Sequence, residues 1–129
     1  KSDITASFSP LTVCLLRKKI CTQIHHEIDE IKEQNLFFVD SVTSPHSVAY
    51  NVSVEMGIPS GRNVQFIDIS EDNKQIAASL RDLAMKARQH GTAIGIGHAK
   101  PQTLAALQSA IPQLRSEGFE FVTVTTAIR

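Results

Sequence analysis

Short apolar runs alternate with helical patterns along most of the chain. Four runs have the length and composition of buried strands: LFFVD (36–40), VQFIDI (64–69), AIGIG (93–97) and FEFVTV (119–124). A fifth run, ITASFSP (4–10), resembles a strand that leads into a turn. Strands that alternate with helices at this spacing pair in parallel through right-handed crossovers. The pattern therefore predicts a single α/β domain, residues 1–129, built on a parallel sheet.

Turn and capping residues mark the ends of the helices between these strands. One helix is predicted to begin at Ser44 and to end at Gly57, and the next to begin at Ser70 and to end at Gly91. The latter carries the clearest apolar face, formed by Ile76, Leu80, Leu83, Ala84 and Ala87.

Two further helices complete the predicted arrangement. One begins at Pro101, because proline is compatible with the first helical turn. The other is predicted within residues 15–35, where an apolar stripe is formed by Leu16, Ile20, Ile24, Ile28 and Ile31.

Length and charge narrow the class of protein. The chain has 129 residues, whereas a closed α/β barrel normally needs roughly 200–250. Thirteen lysines and arginines balance thirteen aspartates and glutamates, so no basic excess indicates a nucleic-acid partner. The sequence contains no run of about 20 apolar residues, so it predicts no transmembrane helix. The chain starts at Lys1 rather than at methionine, and we expect that a segment upstream has been removed.

Three of the predicted strands have an ionisable residue at their carboxyl end: Asp40 ends the first, Asp68 lies near the end of the second, and His98 directly follows the third. In parallel α/β sheets, ligands and catalytic groups collect beyond the carboxyl ends of the strands. We therefore expect these three side chains to share one rim, where an imidazole can exchange a proton at neutral pH. The alternative for each aspartate is a helix cap or a loop residue. For His98 the alternative is a histidine hydrogen-bonded at the sheet edge.

Gly95 and Gly97 lie in the run that precedes His98. Glycine weakens a strand unless a ligand or another backbone needs the space. We interpret the two glycines as an indication that a ligand approaches the strand closely at this point.

The cysteines and the histidine pair are given structural roles. Cys14 and Cys21 lack the C-x-x-C spacing of a redox or metal motif and are expected to be buried thiols. His25 and His26 point about 100° apart on a helix and are expected on a solvated polar face.

Four motifs follow one another within residues 36–128. They are the F-F-x-D-S strand end, an x-F-x-D strand preceded by arginine, the A-I-x-I-G-H turn, and the P-x-T-L-x-x-L helix. Together they make this segment resemble the carboxyl-terminal half of the divergent polysaccharide deacetylase family. Residues 1–35 are then a divergent or truncated amino-terminal part.

The resemblance implies a metal-dependent carbohydrate deacetylase with a distorted (β/α) barrel of the glycoside hydrolase/deacetylase type. Such enzymes hydrolyse N-acetyl groups on sugar polymers with a divalent cation, usually zinc, which polarises the acetamide carbonyl and activates water. His98 would be the acid that protonates the leaving amine, beside Asp40 and Asp68 as orienting or substrate-binding carboxylates. Arg62 would pair with one of these carboxylates and, with Ser41, bind substrate. The family also implies a periplasmic or other extracytoplasmic location.

The family motifs that supply the metal ligands are absent from the sequence. They are a paired-aspartate strand, an H-L-P-type strand end and an N-N-H-type segment ahead of F-F-x-D-S. Metal ligands are therefore not identifiable, and three interpretations stay open. The chain is an incomplete or inactive deacetylase, a non-catalytic carbohydrate-binding or interaction module on the same fold, or a receiver-like or other doubly wound domain. A partial barrel also has open sheet edges, which predicts self-association or missing chain segments.

Overall fold

The computed structural model describes residues 28–128 and the backbone of residues 2–7. The strands are β1 (Ser2–Ser7), β2 (Phe38–Asp40), β3 (Ser60–Phe66), β4 (Thr92–Ile96) and β5 (Phe119–Phe121). The helical segments are α1 (residues 28–33), α2 (Ala49–Glu55), α3 (Asn73–His90), α4 (Pro101–Ser116) and α5 (Val124–Ala127). None of these described helices combines the length and apolar content that crossing a lipid bilayer requires. Both cysteines, the His25–His26 pair and most of the helix predicted over 15–35 lie outside the described residues.

The five described strands form one sheet in the order β2-β3-β4-β1-β5, and every neighbouring pair is parallel. The predicted α/β class with a parallel sheet is therefore confirmed. Strands β2, β3 and β4 are neighbours in chain order, whereas β1 is inserted between β4 and β5. Parallel pairing directs all the carboxyl ends to one rim, which is where the loops after β2, β3 and β4 lie.

Helices α3 and α4 pack on one face of the sheet. The main core cluster contains the whole predicted apolar face of α3 together with residues of α4 and the sheet: Ile67, Ile76, Leu80, Leu83, Ala84, Ala87, Ala93, Leu107, Leu114 and Phe119. A second, smaller cluster joins α1 and α2 and consists of Ile28, Ala49, Val52 and Ile58. The predicted period of α3 is therefore correct, because its apolar positions recur on one side of the helix.

The start of α3 differs by two residues from the prediction. The helix begins at Asn73, and its N-cap is Asp72 rather than the predicted Ser70. The Asp72 carboxylate accepts a hydrogen bond from the amide of Lys74 at 3.2 Å, which satisfies one of the free donors of the first turn. Ser70 lies two residues before Asp72, and its hydroxyl oxygen accepts a hydrogen bond from the Asp72 amide at 3.1 Å. Both residues can cap a helix, and only the backbone path decides between them.

Candidate acid–base site

Asp68 and His98 meet beyond the carboxyl ends of two neighbouring strands. The amide of Ile67 donates to the carbonyl of Ile96 at 3.0 Å, which extends the pairing of β3 and β4 up to the site. Nδ1 of His98 lies 3.0 Å from Oδ1 of Asp68, and the His98 amide donates to Oδ2 of Asp68 at 2.6 Å. Of the three residues predicted to share one rim, this geometry brings Asp68 and His98 together.

Three hydrogen bonds hold the Asp68 carboxylate in place. Two come from His98, through its amide and its ring, and the third comes from the Thr103 hydroxyl, which donates to Oδ2 at 2.8 Å. Burial raises the pKa of Asp68, but these hydrogen bonds and the attraction of His98 outweigh it, and the pKa lies below its ordinary value. Asp68 is therefore ionised at neutral pH and can only accept hydrogen bonds.

The charge of Asp68 determines which nitrogen of the neutral His98 ring carries the proton. Because an ionised carboxylate only accepts, Nδ1 of His98 must carry the proton that it shares with Asp68. In the neutral ring Nε2 then carries no proton and can accept one. The His98 side chain is 68% exposed, whereas that of Asp68 is 3% exposed. A buried anion thus orients an accessible imidazole, an arrangement suited to proton transfer.

A second ion pair connects the same two loops. Nζ of Lys100, two residues after His98, lies 3.2 Å from Oε1 of Glu71, in the loop that leads to α3. Both side chains are well exposed, so this pair adds little to stability. It nevertheless places a positive and a negative charge at the edge of the site.

The two glycines before His98 make room for core side chains. A Cβ at Gly95 would lie 2.6 Å from Cδ2 of Leu83, and a Cβ at Gly97 would lie 2.6 Å from Cγ1 of Ile67. Gly95 thus faces Leu83 of α3, and Gly97 faces Ile67, directly after β3, and Thr103 of α4. Our interpretation of these glycines as evidence of a ligand is therefore wrong, because the atoms that approach them belong to the protein.

Asp40 belongs to a separate hydrogen-bonded cluster around the start of α2. Its carboxylate accepts from the amide of Val42 at 2.9 Å, the hydroxyl of Ser47 at 2.7 Å and the amide of Tyr50 at 3.3 Å. The predicted helix start at Ser44 is wrong, because the structure places the first turn at Ala49, where Asp40 supplies the acceptor. In the described residues, the carboxylates of Asp40 and Asp68 share no hydrogen-bond donor.

Val42 shows that the turn after β2 is constrained. Its φ angle is +53°, in the left-handed region that a β-branched residue rarely adopts. The hydrogen bond from its amide to Asp40 and the hydrogen bond from Nδ2 of Asn63 to the carbonyl of Ser41 hold this conformation. Strained backbone of this kind persists only where the surrounding contacts impose it.

Arg62 and Ser41 lie near Asp40 rather than near His98. Arg62 is opposite Asp40 in the register of β2 and β3 and is exposed. It forms no ion pair with Asp40 or Asp68, so the expected pairing is not present; the donors named above surround both carboxylates. Ser41 is half-buried directly after Asp40.

Sequence reasoning missed Thr103. This residue lies in the first turn of α4, is 0% exposed, and belongs to the same buried stripe as Leu107 and Leu114. A threonine on an otherwise apolar stripe needs a hydrogen-bond partner when it is buried, and the partner here is Asp68. That mismatch between residue type and position was visible in the P-x-T-L-x-x-L motif.

The described residues do not fit the divalent cation that the resemblance implies. No group of three or more His, Cys, Asp and Glu side chains that could hold a metal ion occurs among residues 28–128. The oxygens of Asp40 and Asp68 are each occupied by donors of the protein. A catalytic zinc normally takes three protein ligands, and the described side chains do not provide such a set.

Comparison with protein families assigns most of the chain to one family. The divergent polysaccharide deacetylase family matches residues 21–128. This chain belongs to that family. The match begins ahead of residue 36, where the four motifs start, and runs through α5, so it includes both Asp68 and His98. A role related to carbohydrates is the function that family membership supports.

Relatives and a solved structure extend the comparison. Over 84 residues, 65% of this chain, the sequence is 37% identical to an uncharacterized protein of Haemophilus influenzae and 30% identical to the uncharacterized protein YibQ of Escherichia coli K12. These regions are 30% and 26% of the relatives' lengths. The crystal structure of uncharacterized protein ATU2773 from Agrobacterium tumefaciens C58 superimposes with a TM-score of 0.79 at 24% identity, over 82% of this chain and 43% of that one. The likeness shows a shared fold.

Proposed function

We propose that this protein acts in the hydrolysis of N-acetyl groups on sugar polymers, with His98 as the acid and Asp68 as its orienting partner. The observation that carries the proposal is the hydrogen bond between the buried Asp68 carboxylate and Nδ1 of the exposed His98 ring. Membership of the divergent polysaccharide deacetylase family supports the choice of substrate.

The proposed role of His98 follows from the balance of the reaction. Water adds to the acetyl carbonyl carbon and gives up both of its protons to the solvent, the carbon–nitrogen bond breaks, the amine takes one proton from His98, and acetate and a free amine are released. The amine nitrogen leaves easily only if it receives a proton as the bond breaks. Imidazolium His98 can donate that proton from Nε2, while Nδ1–H remains bonded to Asp68. Water then replaces the proton at Nε2 after the product has left.

The remaining candidate residues are proposed to bind the sugar polymer. Arg62 presents an exposed guanidinium beside Asp40, and Ser41 follows Asp40 in the constrained turn after β2. Guanidinium and hydroxyl groups match the many hydroxyl and amide groups of an N-acetylated sugar. The hydrogen bonds at Asp40 support an orienting role for this residue, exerted through the turn that carries Ser41.

The family also supports two broader proposals. The neighbouring strands β2, β3 and β4 would form part of a distorted (β/α) barrel, and the order of these three strands is consistent with it. A periplasmic or other extracytoplasmic location would bring the protein to polymeric sugars of the cell envelope.

Replacement of His98 tests the proposal directly. Acetate release from short N-acetylated glucosamine oligomers is measured for the wild type, for His98→Gln and for His90→Gln, a histidine at the end of α3, with and without added zinc. We expect His98→Gln to lower kcat by about 10²–10⁴-fold with little change in KM, and His90→Gln to match the wild type. Equal activity in His98→Gln would remove His98 from the mechanism.

A second candidate is a non-catalytic carbohydrate-binding or interaction module. It is favoured by one observation, namely that the described side chains provide no three-ligand metal group. Calorimetric titration with zinc separates the two candidates. Zinc binding tighter than about micromolar, together with acetate release that is lost in His98→Gln, would favour the hydrolase. No heat with zinc, together with binding of the oligomers and no acetate release, would favour the module.

A further inference from the structure

The carboxylate of Asp68 is held by a residue other than His98 as well, through its second oxygen, Oδ2. Oδ2 accepts from the His98 amide and from the Thr103 hydroxyl. The amide donor belongs to His98 itself, on the same exposed loop as the ring. Thr103 instead belongs to α4, is completely buried, and lies one residue before the exposed Leu104. It is the donor that comes from outside the pair.

Packing fixes the position of the Thr103 side chain as well as its hydrogen bond. A Cβ placed on Gly97 would lie 3.4 Å from Cγ2 of Thr103, and 2.6 Å from Cγ1 of Ile67. The methyl group of Thr103 is therefore packed against the end of β4 beside Ile67. With the methyl group fixed in this way, the hydroxyl is directed at Asp68.

We propose that Thr103 is a positioning residue that keeps the Asp68 carboxylate turned toward Nδ1 of His98 and thereby holds the neutral imidazole in its Nδ1–H tautomer. Oδ2 is occupied by two donors, so Oδ1 is the oxygen that meets the ring. Free histidine favours the other tautomer, with the proton on Nε2. The Nδ1–H tautomer of His98 reverses this preference and leaves Nε2 free to accept a proton. The nearby charges of Glu71 and Lys100 are paired with each other.

The consequence of this role for catalysis rests on the proposed function, whereas the hydrogen-bond state can be measured without any substrate. The probe is the ¹⁵N NMR spectrum of histidine-labelled protein at a pH where the imidazole is neutral. Wild type, Thr103→Val and Thr103→Ser are compared. Valine keeps the shape and removes the donor, whereas serine keeps the donor. His90, exposed at the end of α3, is the internal reference.

We expect His98 of the wild type to show a protonated Nδ1 and an unprotonated Nε2. In Thr103→Val its two nitrogen shifts should move toward the mixture shown by His90, and in Thr103→Ser they should stay at the wild-type values. The pKa of Asp68, followed by its carboxyl ¹³C shift, should be higher in Thr103→Val, because a donor to the charged form is lost. Unchanged ¹⁵N and ¹³C behaviour in Thr103→Val would overturn the proposal.

A measurement on the unsubstituted protein covers the case in which Thr103→Val does not fold. A hydroxyl that donates to a buried carboxylate exchanges slowly with water, and its proton should appear as a separate NMR signal for Thr103. Rapid exchange of that proton would overturn the proposal.

Activity separates this inference from the proposed function. If the chain releases acetate, Thr103→Val should lower kcat by roughly 10- to 100-fold at constant KM, and Thr103→Ser should restore it. A chain that shows the expected tautomer behaviour without releasing acetate would retain the role of Thr103 and refute the hydrolase. Loss of acetate release in His98→Gln but not in Thr103→Val, with an unchanged tautomer, would refute the role of Thr103 alone.

Discussion

At the scale of single residues, environment separates two aspartates that look alike in the sequence. Both follow an apolar run, and both are buried. Asp68 accepts from a histidine ring and its amide, whereas Asp40 accepts from a serine hydroxyl and backbone amides near α2. The first arrangement orients a titratable group, and the second begins a helix. The hydrogen-bond donors around each carboxylate therefore determine whether it orients a titratable group or begins a helix.

The pH dependence of stability should report the state of Asp68. Its pKa is lowered in the folded protein, so its stabilising contribution is present above the unfolded value of about 3.9 and is lost as the pH falls through the folded value. We expect the free energy of unfolding, measured with urea, to fall more steeply between about pH 5 and 2 in the wild type than in Asp68→Asn. Asp82→Asn, at an exposed position of α3, is the control and should follow the wild type. Parallel pH curves for wild type and Asp68→Asn would contradict this expectation.

At the scale of elements, the site depends on how closely β4 approaches the helices. Gly95 lies in β4 and Gly97 directly follows it, and the absence of a Cβ at these two positions allows Leu83 and Ile67 to pack against the backbone. This close packing brings the first turn of α4 next to Asp68. Pro101 begins α4 as predicted, and Pro112 lies inside the helix without ending it. The position of α4 relative to β4 therefore sets the geometry of the acid–base site.

Replacement of Gly97 by alanine should disturb this packing. The new Cβ would lie 2.6 Å from Cγ1 and 2.7 Å from Cδ1 of Ile67, which is 0% exposed. We expect Gly97→Ala to lower the free energy of unfolding by about 1–3 kcal/mol in urea denaturation.

A double-mutant cycle identifies the contact responsible. Ile67→Val removes Cδ1, so it should cost less in the Gly97→Ala background than in the wild type. Strict additivity of the two substitutions, or a Gly97→Ala variant as stable as the wild type, would show that the strand moves away from Ile67 without cost.

At the scale of the whole molecule, two hydrophobic clusters of unequal size support the sheet. The larger lies under α3 and α4, and the smaller joins α1 and α2 near the edge strand β2. Edge strands expose unpaired backbone groups, and β2 and β5 are the edges of the described sheet. Self-association, or coverage by further chain segments, stays a prediction for these edges.

The difference between the clusters should appear in amide hydrogen exchange. Regions with fewer buried apolar contacts open at lower free energy. We expect the amides of α2 to exchange at least about tenfold faster than those of α3 and of the central strand β4. Equally slow exchange of the amides in α2, α3 and β4 would show that the molecule opens as one cooperative unit.

The sequence by itself determined the class of fold, the apolar face of α3, the start of α4 and the family, because these follow from local periodicity, capping chemistry and motif order. It also indicated Asp68 and His98, since both follow strands whose parallel pairing places their ends together. Only the tertiary structure decided that Asp40 caps α2, that Gly95 and Gly97 accommodate core side chains, and that Thr103 holds Asp68. Each of these depends on which atoms from distant segments meet, and a hydroxyl or carboxylate has no fixed partner until packing brings one within hydrogen-bonding distance.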